Sequence, residues 1–191
     1  MNRPSDPSAD VAEAPARFTV DEFMEMAAAG AFDMIEGKIE LADGVIVRMP
    51  PPNFRHSKMQ RQLFLKLHAI FGEGRDGLIA MFETGSRLSE WTMRQPDLSV
   101  IREPDGEVKL LDGAAIFLAV EVSEATLRRD LGPKRDHYAA AGVPHYWVVD
   151  LDGRKTHVFA APAQGGYGEE EEIAFGAPVP VPGTGETIVV E

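Results

Sequence analysis

Three residues carry the chemistry this chain could do. Asp97 opens the run P-D-L-S-V-I, Glu121 stands near the end of I-F-L-A-V-E-V-S, and Lys134 lies in R-R-D-L-G-P-K-R-D-H-Y-A-A-A-G-V. The signal is charge inside apolar sequence. A buried, unpaired charge is costly, so such groups are usually paired, metal-bound or catalytic. Two carboxylates presented to one site by adjacent strands would repel each other. A divalent cation removes that repulsion, and hard cations such as Mg²⁺ take one or two carboxylates completed by water and phosphate oxygens. Taken singly, Asp97 reads as a strand-end cap and Glu121 as a salt bridge at a sheet edge. Together with a lysine they read as a site.

Lys134 decides between those readings. At about 100° per residue, Leu131, Tyr138 and Ala141 fall on its side of a helix, so the lysine sits on the apolar stripe. It either snorkels at the border of that stripe or directs its ammonium at the sheet end that carries Glu121. Asp130, one turn earlier, is expected to cap the helix start rather than pair with Lys134, and Pro133 suits a first turn beginning there. Glu40, the third acid, reads by itself as a solvent-facing strand glutamate, and Asp150 as a strand end that starts a turn. His56, His137 and His145 read as structural or surface residues, because no H-x-x-x-H pair is present. Trp91 and Trp147 are expected to pack rather than stack on bases. The absence of G-x-S-x-G and P-loop patterns leaves serine hydrolase and Walker NTPase readings without support.

These residues need strands and helices to position them. T-V-D-E at Thr19–Glu22 is a capping box that starts a helix over Val20–Ala29, stopped by Gly30, with Phe23 and Met26 or Ala27 turned to the core. Asp43-Gly44 between alternating runs predicts a hairpin over Lys38–Met49, ended by Pro50–Pro52. Met59, Leu63, Leu67 and Ile70 share one face of a helix over Arg55–Phe71. Leu78–Leu88 forms one strand or two, Pro96–Ile101 another, and residues 102–114 a loop. Ile116–Val122 is apolar almost throughout, as in a central strand covered on both faces. A helix ending at Gly142 follows, then strands His145–Asp150 and Lys155–Ala160 joined at Asp152-Gly153. Gly166–Phe175 and Thr187–Val190 complete the set. The order predicts an α/β fold, a mixed β-sheet flanked by helices, with an N-terminal helix and β-hairpin. Residues 1–16, rich in Pro, Ser, Ala and Asp, are expected to be a disordered tail, and residues 17–191 a single domain.

Composition bounds the partners. The 191 residues include no cysteine, which excludes disulfides, thiolate metal sites and a thiol nucleophile. No apolar run approaches the ~18 residues of a membrane span, and no secretory signal is visible, so the expected location is the cytoplasm. The net charge of −12 argues against broad charge-driven binding to nucleic acid. It leaves room for a local basic strip beside a metal site. Glu169–Glu172 is expected to be a solvated edge.

The series Q-P-D-L, A-V-E-V-S-E-A-T, R-R-D-L-G-P-K-R-D-H-Y-A-A-A-G-V-P-H-Y-W-V-V-D resembles the Uma-two family of restriction endonucleases, within the PD-(D/E)XK nuclease superfamily. F-T-V-D-E-F, E-L-A-D-G-V-I-V-R-M-P-P-P, R-H-S-K and G-G-Y agree, so the resemblance covers roughly residues 18–190. It implies a restriction-endonuclease-like fold and a Mg²⁺-dependent endonuclease, with Mn²⁺ as a possible substitute, that hydrolyses DNA phosphodiester bonds. Asp97 then matches the aspartate of P-D and Glu121 the acid of E-x-K. Ser123 stands where the superfamily has its lysine, and Lys134 on the next helix substitutes for it. Asp97, Glu121 and the Val122 carbonyl would hold the metal, with Glu40, or Glu36 in the similar M-I-E-G-K-I, as third acid. A homodimer would supply two sites for two strands. Two other classes stand beside this one: a binding or regulatory module that keeps the fold, and a metal-dependent hydrolase of a small phosphoester. A basic strip of Arg87, Arg94, Arg128, Arg129 and Arg135 around the site would mark DNA. A neutral, closed pocket would mark a small substrate, and an absent carboxylate cluster a binding module.

Overall fold

The computed structural model describes residues 15–72 and 74–191; the expected tail lies outside them except for Pro15 and Ala16, which are exposed. Helix α1, Val20–Ala28, is opened by the capping box: Thr19 Oγ1 accepts from the Glu22 amide at 3.2 Å, and Glu22 Oε2 accepts from the Thr19 amide at 2.8 Å. Strands β1, Lys38–Ala42, and β2, Val45–Met49, form the hairpin. Asp43 and Gly44 both take positive φ (49° and 79°), the two-residue turn whose twist matches that of the strands.

Helix α2, Phe54–Phe71, begins at Asn53, whose side chain accepts from the His56 amide. It is followed by β3, Leu78–Phe82; β4, Ser86–Arg87; β5, Met93–Arg94; β6, Leu98–Arg102; β7, Leu111–Asp112; and β8, Ile116–Ser123. The segment after β8 is not one helix started by Asp130. A short turn α3, Leu127–Arg129, runs into a π-helical turn, Asp130–Lys134, that kinks at Gly132, and α4, Arg135–Ala140, continues. Pro133, which has no amide hydrogen to donate, sits at the kink. The chain closes with β9, His145–Asp150; β10, Lys155–Ala163; β11, Gly166–Ala174; β12, Pro178–Pro180; and β13, Thr187–Val189.

Among the described residues the strands form three sheets. The large one has the order β11-β10-β9-β8-β6-β3, and only β8 and β9 pair in parallel, across the kinked helical connection. The small one has the order β2-β1-β5-β4-β7, and β12 pairs with β13. In the small sheet β4 and β7 also run parallel. Strand β8 is covered on both faces, as its apolar run requires. Leu118, Val120 and Val122 pack with Met59, Leu63 and Leu67 of α2, while Ala119 packs with Tyr138, Tyr146 and Val148 on the other side. Each fully buried side chain of this kind contributes about 1.5–3 kcal/mol. Trp147 belongs to the α2 side of this core, as expected, whereas Trp91 is 41% exposed and packs little.

Between β9 and β10 the positive φ falls on Arg154, not Gly153. Gly153 is needed for space: a Cβ there would lie 2.1 Å from Asp150 Oδ2. Asp150 Oδ1 accepts from the Gly153 amide at 2.8 Å and the Asp152 amide at 3.1 Å, so it starts the turn as expected. The acid run Glu169–Glu172 lies exposed on the edge strand β11.

Candidate active site

The two larger sheets meet at one joint. The chain leaves β5 of the small sheet at Arg94 and enters β6 of the large sheet at Leu98, so Asp97 ends the crossing. The antiparallel register Leu98↔Val120 brings Asp97 alongside Glu121 and Val122. Asp97 Oδ2 accepts from the Val122 amide at 2.9 Å. On the other side of the joint, Leu41↔Met93 sets Glu40 of β1 beside Arg94 of β5.

The sequence-derived residues converge. Lys134 Nζ donates to Glu121 Oε1 at 2.8 Å and lies 3.3 Å from Glu40 Oε1. Tyr138, one turn along α4, donates its hydroxyl to the same Glu121 oxygen at 3.2 Å. The stripe shared by Lys134 and Tyr138 therefore does aim at the sheet end that holds Glu121, and the kink does not disturb it. Glu40 is fully buried, not solvent-facing: Arg94 Nη1 donates to Oε2 at 2.9 Å and the Gln95 amide to Oε1 at 3.1 Å. Glu36 is exposed and, among the described residues, offers only its backbone carbonyl, to Arg48, so Glu40 is the third acid of the cluster.

Asp130 neither caps a helix nor pairs with Lys134. Its carboxylate takes the Thr126 hydroxyl and Arg129 Nε, and its carbonyl accepts from the Tyr146 hydroxyl at 2.9 Å. The reason is the early start at Leu127, which places Asp130 inside the helical segment.

Several members escaped sequence reasoning. His56, expected to be a structural or surface residue, approaches Asp97 Oδ2 with Nε2 at 3.0 Å, and its buried Nδ1 has no partner among the described residues. Lys38 Nζ lies 3.1 Å from Asp97 Oδ1 and donates to the Gln95 carbonyl at 2.9 Å. Gln60 donates to the Asp97 carbonyl. His137 joins the cluster to the hairpin turn, with Nδ1 2.9 Å from Arg94 Nη2 and Nε2 3.0 Å from Asp43 Oδ2. The advance signs of His56 and Lys38 were their place beside the prolines and Glu40 and their presence in the quoted stretches R-H-S-K and M-I-E-G-K-I. His145 packs edge-on against Phe117, as a structural residue does.

The electrostatics differ from acid to acid. Burial alone would raise the Asp97 carboxyl, but the His56 hydrogen bond and the Lys38 charge outweigh it and hold Asp97 well below the usual range. Burial likewise acts to raise Glu40, and Lys134 and Arg94 reverse it. Glu121 is pushed up to about 7, by burial first, with Asp97, Asp130 and Glu40 adding repulsion that Lys134 only partly offsets. Burial would lower Lys134, yet Glu121 and Glu40 hold its proton, so the ammonium stays charged.

A cavity of about 590 Å³ opens over this joint. Its floor is Asp97, Glu121, Val122 and Lys134, and its walls include Pro50–Pro52, His56, Lys38 and Arg129. Among the described residues Glu121 Oε2 makes no hydrogen bond, and no three His, Asp or Glu residues stand together as a ready metal cluster.

A family model described as "Uma2: Putative restriction endonuclease" matches residues 20–186. The chain belongs to the Uma2 family. A solved structure, that of a "putative nuclease belonging to DUF820" from Anabaena variabilis, matches with a TM-score of 0.69 at 22% identity, over 91% of this chain and 95% of that one. It shows the fold: the mixed sheet with flanking helices is the restriction-endonuclease-like arrangement. No curated protein matches this Uma2 chain. No helix of the described residues is long and apolar enough to cross a membrane.

The arginine strip that would mark DNA does not assemble in full. Arg94 is buried against Glu40, Arg87 pairs with Asp21, and Arg135 with Asp136. Of the five, Arg129 is the one that lines the cavity.

Proposed function

We propose that the protein is a divalent-metal-dependent nuclease that hydrolyses DNA phosphodiester bonds at the joint between the two sheets. The observation that carries this reading is the placement of Asp97 and Glu121 side by side on a cavity floor, with the Lys134 ammonium bonded to Glu121. Family membership supplies the class of reaction.

The donor set fits Mg²⁺ or Mn²⁺. Asp97 and Glu121 offer two hard carboxylates, and Glu121 Oε2 lacks a hydrogen bond among the described residues. The Val122 amide points at Asp97, and in a strand the carbonyl of a residue leaves on the same edge as its amide. Two carboxylates and a backbone carbonyl, completed by water and phosphate oxygens, are what a hard divalent cation takes. Bound there, it would lower the pKa of a water and neutralise charge on the phosphate.

The chain's own groups do the positioning. Lys134 and Tyr138 share Glu121 Oε1 and so leave Oε2 without a hydrogen bond among the described residues. Glu40, held by Arg94 and the Gln95 amide, fixes Lys134 from behind. His56 and the Val122 amide fix Asp97 Oδ2. In the reaction a water oxygen bonds to phosphorus, the ester P–O bond breaks, and the proton lost by the water ends on the departing oxygen.

The test compares plasmid and single-stranded DNA in Mg²⁺ or Mn²⁺ with wild type, Asp97→Asn and Glu121→Gln. Cleavage by wild type that both variants lose is the expected result. Cleavage unchanged in Asp97→Asn would sink the proposal. One observation favours a second reading, hydrolysis of a small phosphoester: the arginine strip is largely consumed by internal pairs. Turnover of bis(p-nitrophenyl) phosphate with no cleavage of either DNA would select it.

A further inference from the structure

The site holds two lysines, and they are not equivalent. Lys134 is enclosed, its side chain 2% exposed, with Glu121 and Glu40 both on its ammonium. It has little left to offer a substrate. Lys38 comes from a different element, the start of β1, and lines the cavity. Its ammonium has three donors, of which Asp97 Oδ1 and the Gln95 carbonyl engage two.

We propose that Lys38 is a catalytic residue of the hydrolysis, the ammonium that meets a non-bridging oxygen of the scissile phosphodiester. The inference rests on the nuclease reading and deepens it. Strand geometry supports it: Lys38 and Glu40 are two residues apart and so lie on one face of β1. Glu40 is pinned by Arg94, the Gln95 amide and Lys134. The hairpin is thereby fixed at Glu40, and Lys38 is held over the cavity from that anchor. Neutralising Asp97 is not sufficient reason for Lys38, because Asp97 Oδ2 already takes the Val122 amide and His56.

The chemistry balances without consuming the lysine. As the water oxygen bonds to phosphorus and the ester bond breaks, negative charge grows on the non-bridging oxygens, and Lys38 stabilises it by charge and hydrogen bond. Removing one such donor typically slows a reaction by about a hundredfold or more. Lys38 would compete with a bound cation for Asp97 Oδ1, so its removal should not weaken metal binding.

The experiment uses the full chain as wild type, Lys38→Met and Lys38→Arg. Mn²⁺ titration is followed by electron paramagnetic resonance. Binding of a fluorescein-labelled oligonucleotide is measured in Ca²⁺, and single-turnover cleavage in Mg²⁺. Lys38→Met should bind Mn²⁺ as well as wild type or better, hold the oligonucleotide within about threefold, and cleave about a hundredfold more slowly. Lys38→Arg should recover a large part of the rate. A loss below tenfold, weakened Mn²⁺ binding, or no recovery by arginine would overturn the proposal. Wild type that cleaves no DNA would remove the nuclease reading and this proposal with it. Wild type and Lys38→Met that cleave alike would remove this proposal alone.

Discussion

The charged cluster has a dry half and a wet half, each built from a carboxylate faced by two basic side chains. In the dry half, Glu40, Arg94 and Lys134 are each no more than 2% exposed. In the wet half, Asp97 meets Lys38 and His56, whose side chains are 16% and 15% exposed, beside the cavity. Glu121 belongs to both, with Oε1 bonded inward to Lys134 and Tyr138. The difference is one of purpose. Buried ion pairs contribute little net stability but are severe to break, so they fix geometry. Partly wet groups can exchange partners, which the proposed binding of an ion and a phosphate would require.

The sharpest break in that contrast is Lys134→Met. It leaves Glu40 and Glu121 buried with one ammonium fewer, a change of about 3–5 kcal/mol. For a chain of this size that lowers Tm by about 6–20 °C in a thermal scan. If Lys134→Met kept its Tm within a degree or two, the dry half would not be the scaffold described.

Two carboxyls shifted in opposite directions set a pH dependence of stability. Glu121 has a folded-state value of about 7, above the 4.5 of an ordinary glutamate. A raised value means that stability is fully present below pH 4.5 and is lost as pH rises through 7, by about 3 kcal/mol in the limit. Asp97 is shifted the other way, so its contribution is present above pH 3.8 and lost as pH falls below it. In EDTA, Tm should therefore decline between pH 5 and 7.5 from the Glu121 side, and Glu121→Gln should flatten that decline. An equal slope in Glu121→Gln would assign the effect elsewhere.

Much of this half-and-half design was legible in the sequence, for a physical reason. Asp97, Glu121 and Lys134 stood out because each interrupts an apolar periodicity, and burial patterns are what periodicity encodes. Glu40 did not stand out, since an alternating hairpin strand gives no sign of which face the second sheet will cover; only the family resemblance raised it. Arg94 was named only within the strip that would mark DNA, and nothing pointed to its burial against Glu40, because β5 is two residues long, too short to carry a pattern. The contact of His56 with Asp97 spans 41 residues, a separation that no local pattern encodes. The helical start was read at Asp130 because a Pro three residues on imitates a first turn, whereas Gly132 and Pro133 form a kink within a segment already under way.

Asp97→Asn tests the wet half directly. Asparagine keeps one carbonyl oxygen for the Val122 amide but removes the charge that Lys38 and His56 face. Stability should fall by about 1–2 kcal/mol, less than for Lys134→Met, while metal-dependent cleavage falls by at least about a thousandfold, the rate equivalent of several kcal/mol. A stability loss as large as that of Lys134→Met would erase the distinction between the halves.

The smallest effect belongs to the link between the dry half and the surface. His137 is held below its usual pKa by burial and by Arg94, so it is neutral at pH 7. The neutral ring accepts from Arg94 at Nδ1 and donates to Asp43 at Nε2, which ties the buried cluster to the turn of the β1–β2 hairpin. Arg94 keeps Glu40 when that ring is lost, and the Asp43 contact is largely exposed. His137→Leu should therefore lower stability by under about 1 kcal/mol and leave cleavage within about threefold, a change of about 0.7 kcal/mol in the barrier. A tenfold loss of cleavage at unchanged Tm would mean that the hairpin turn steers Glu40 through Arg94, and that the dry half is adjustable from outside rather than fixed.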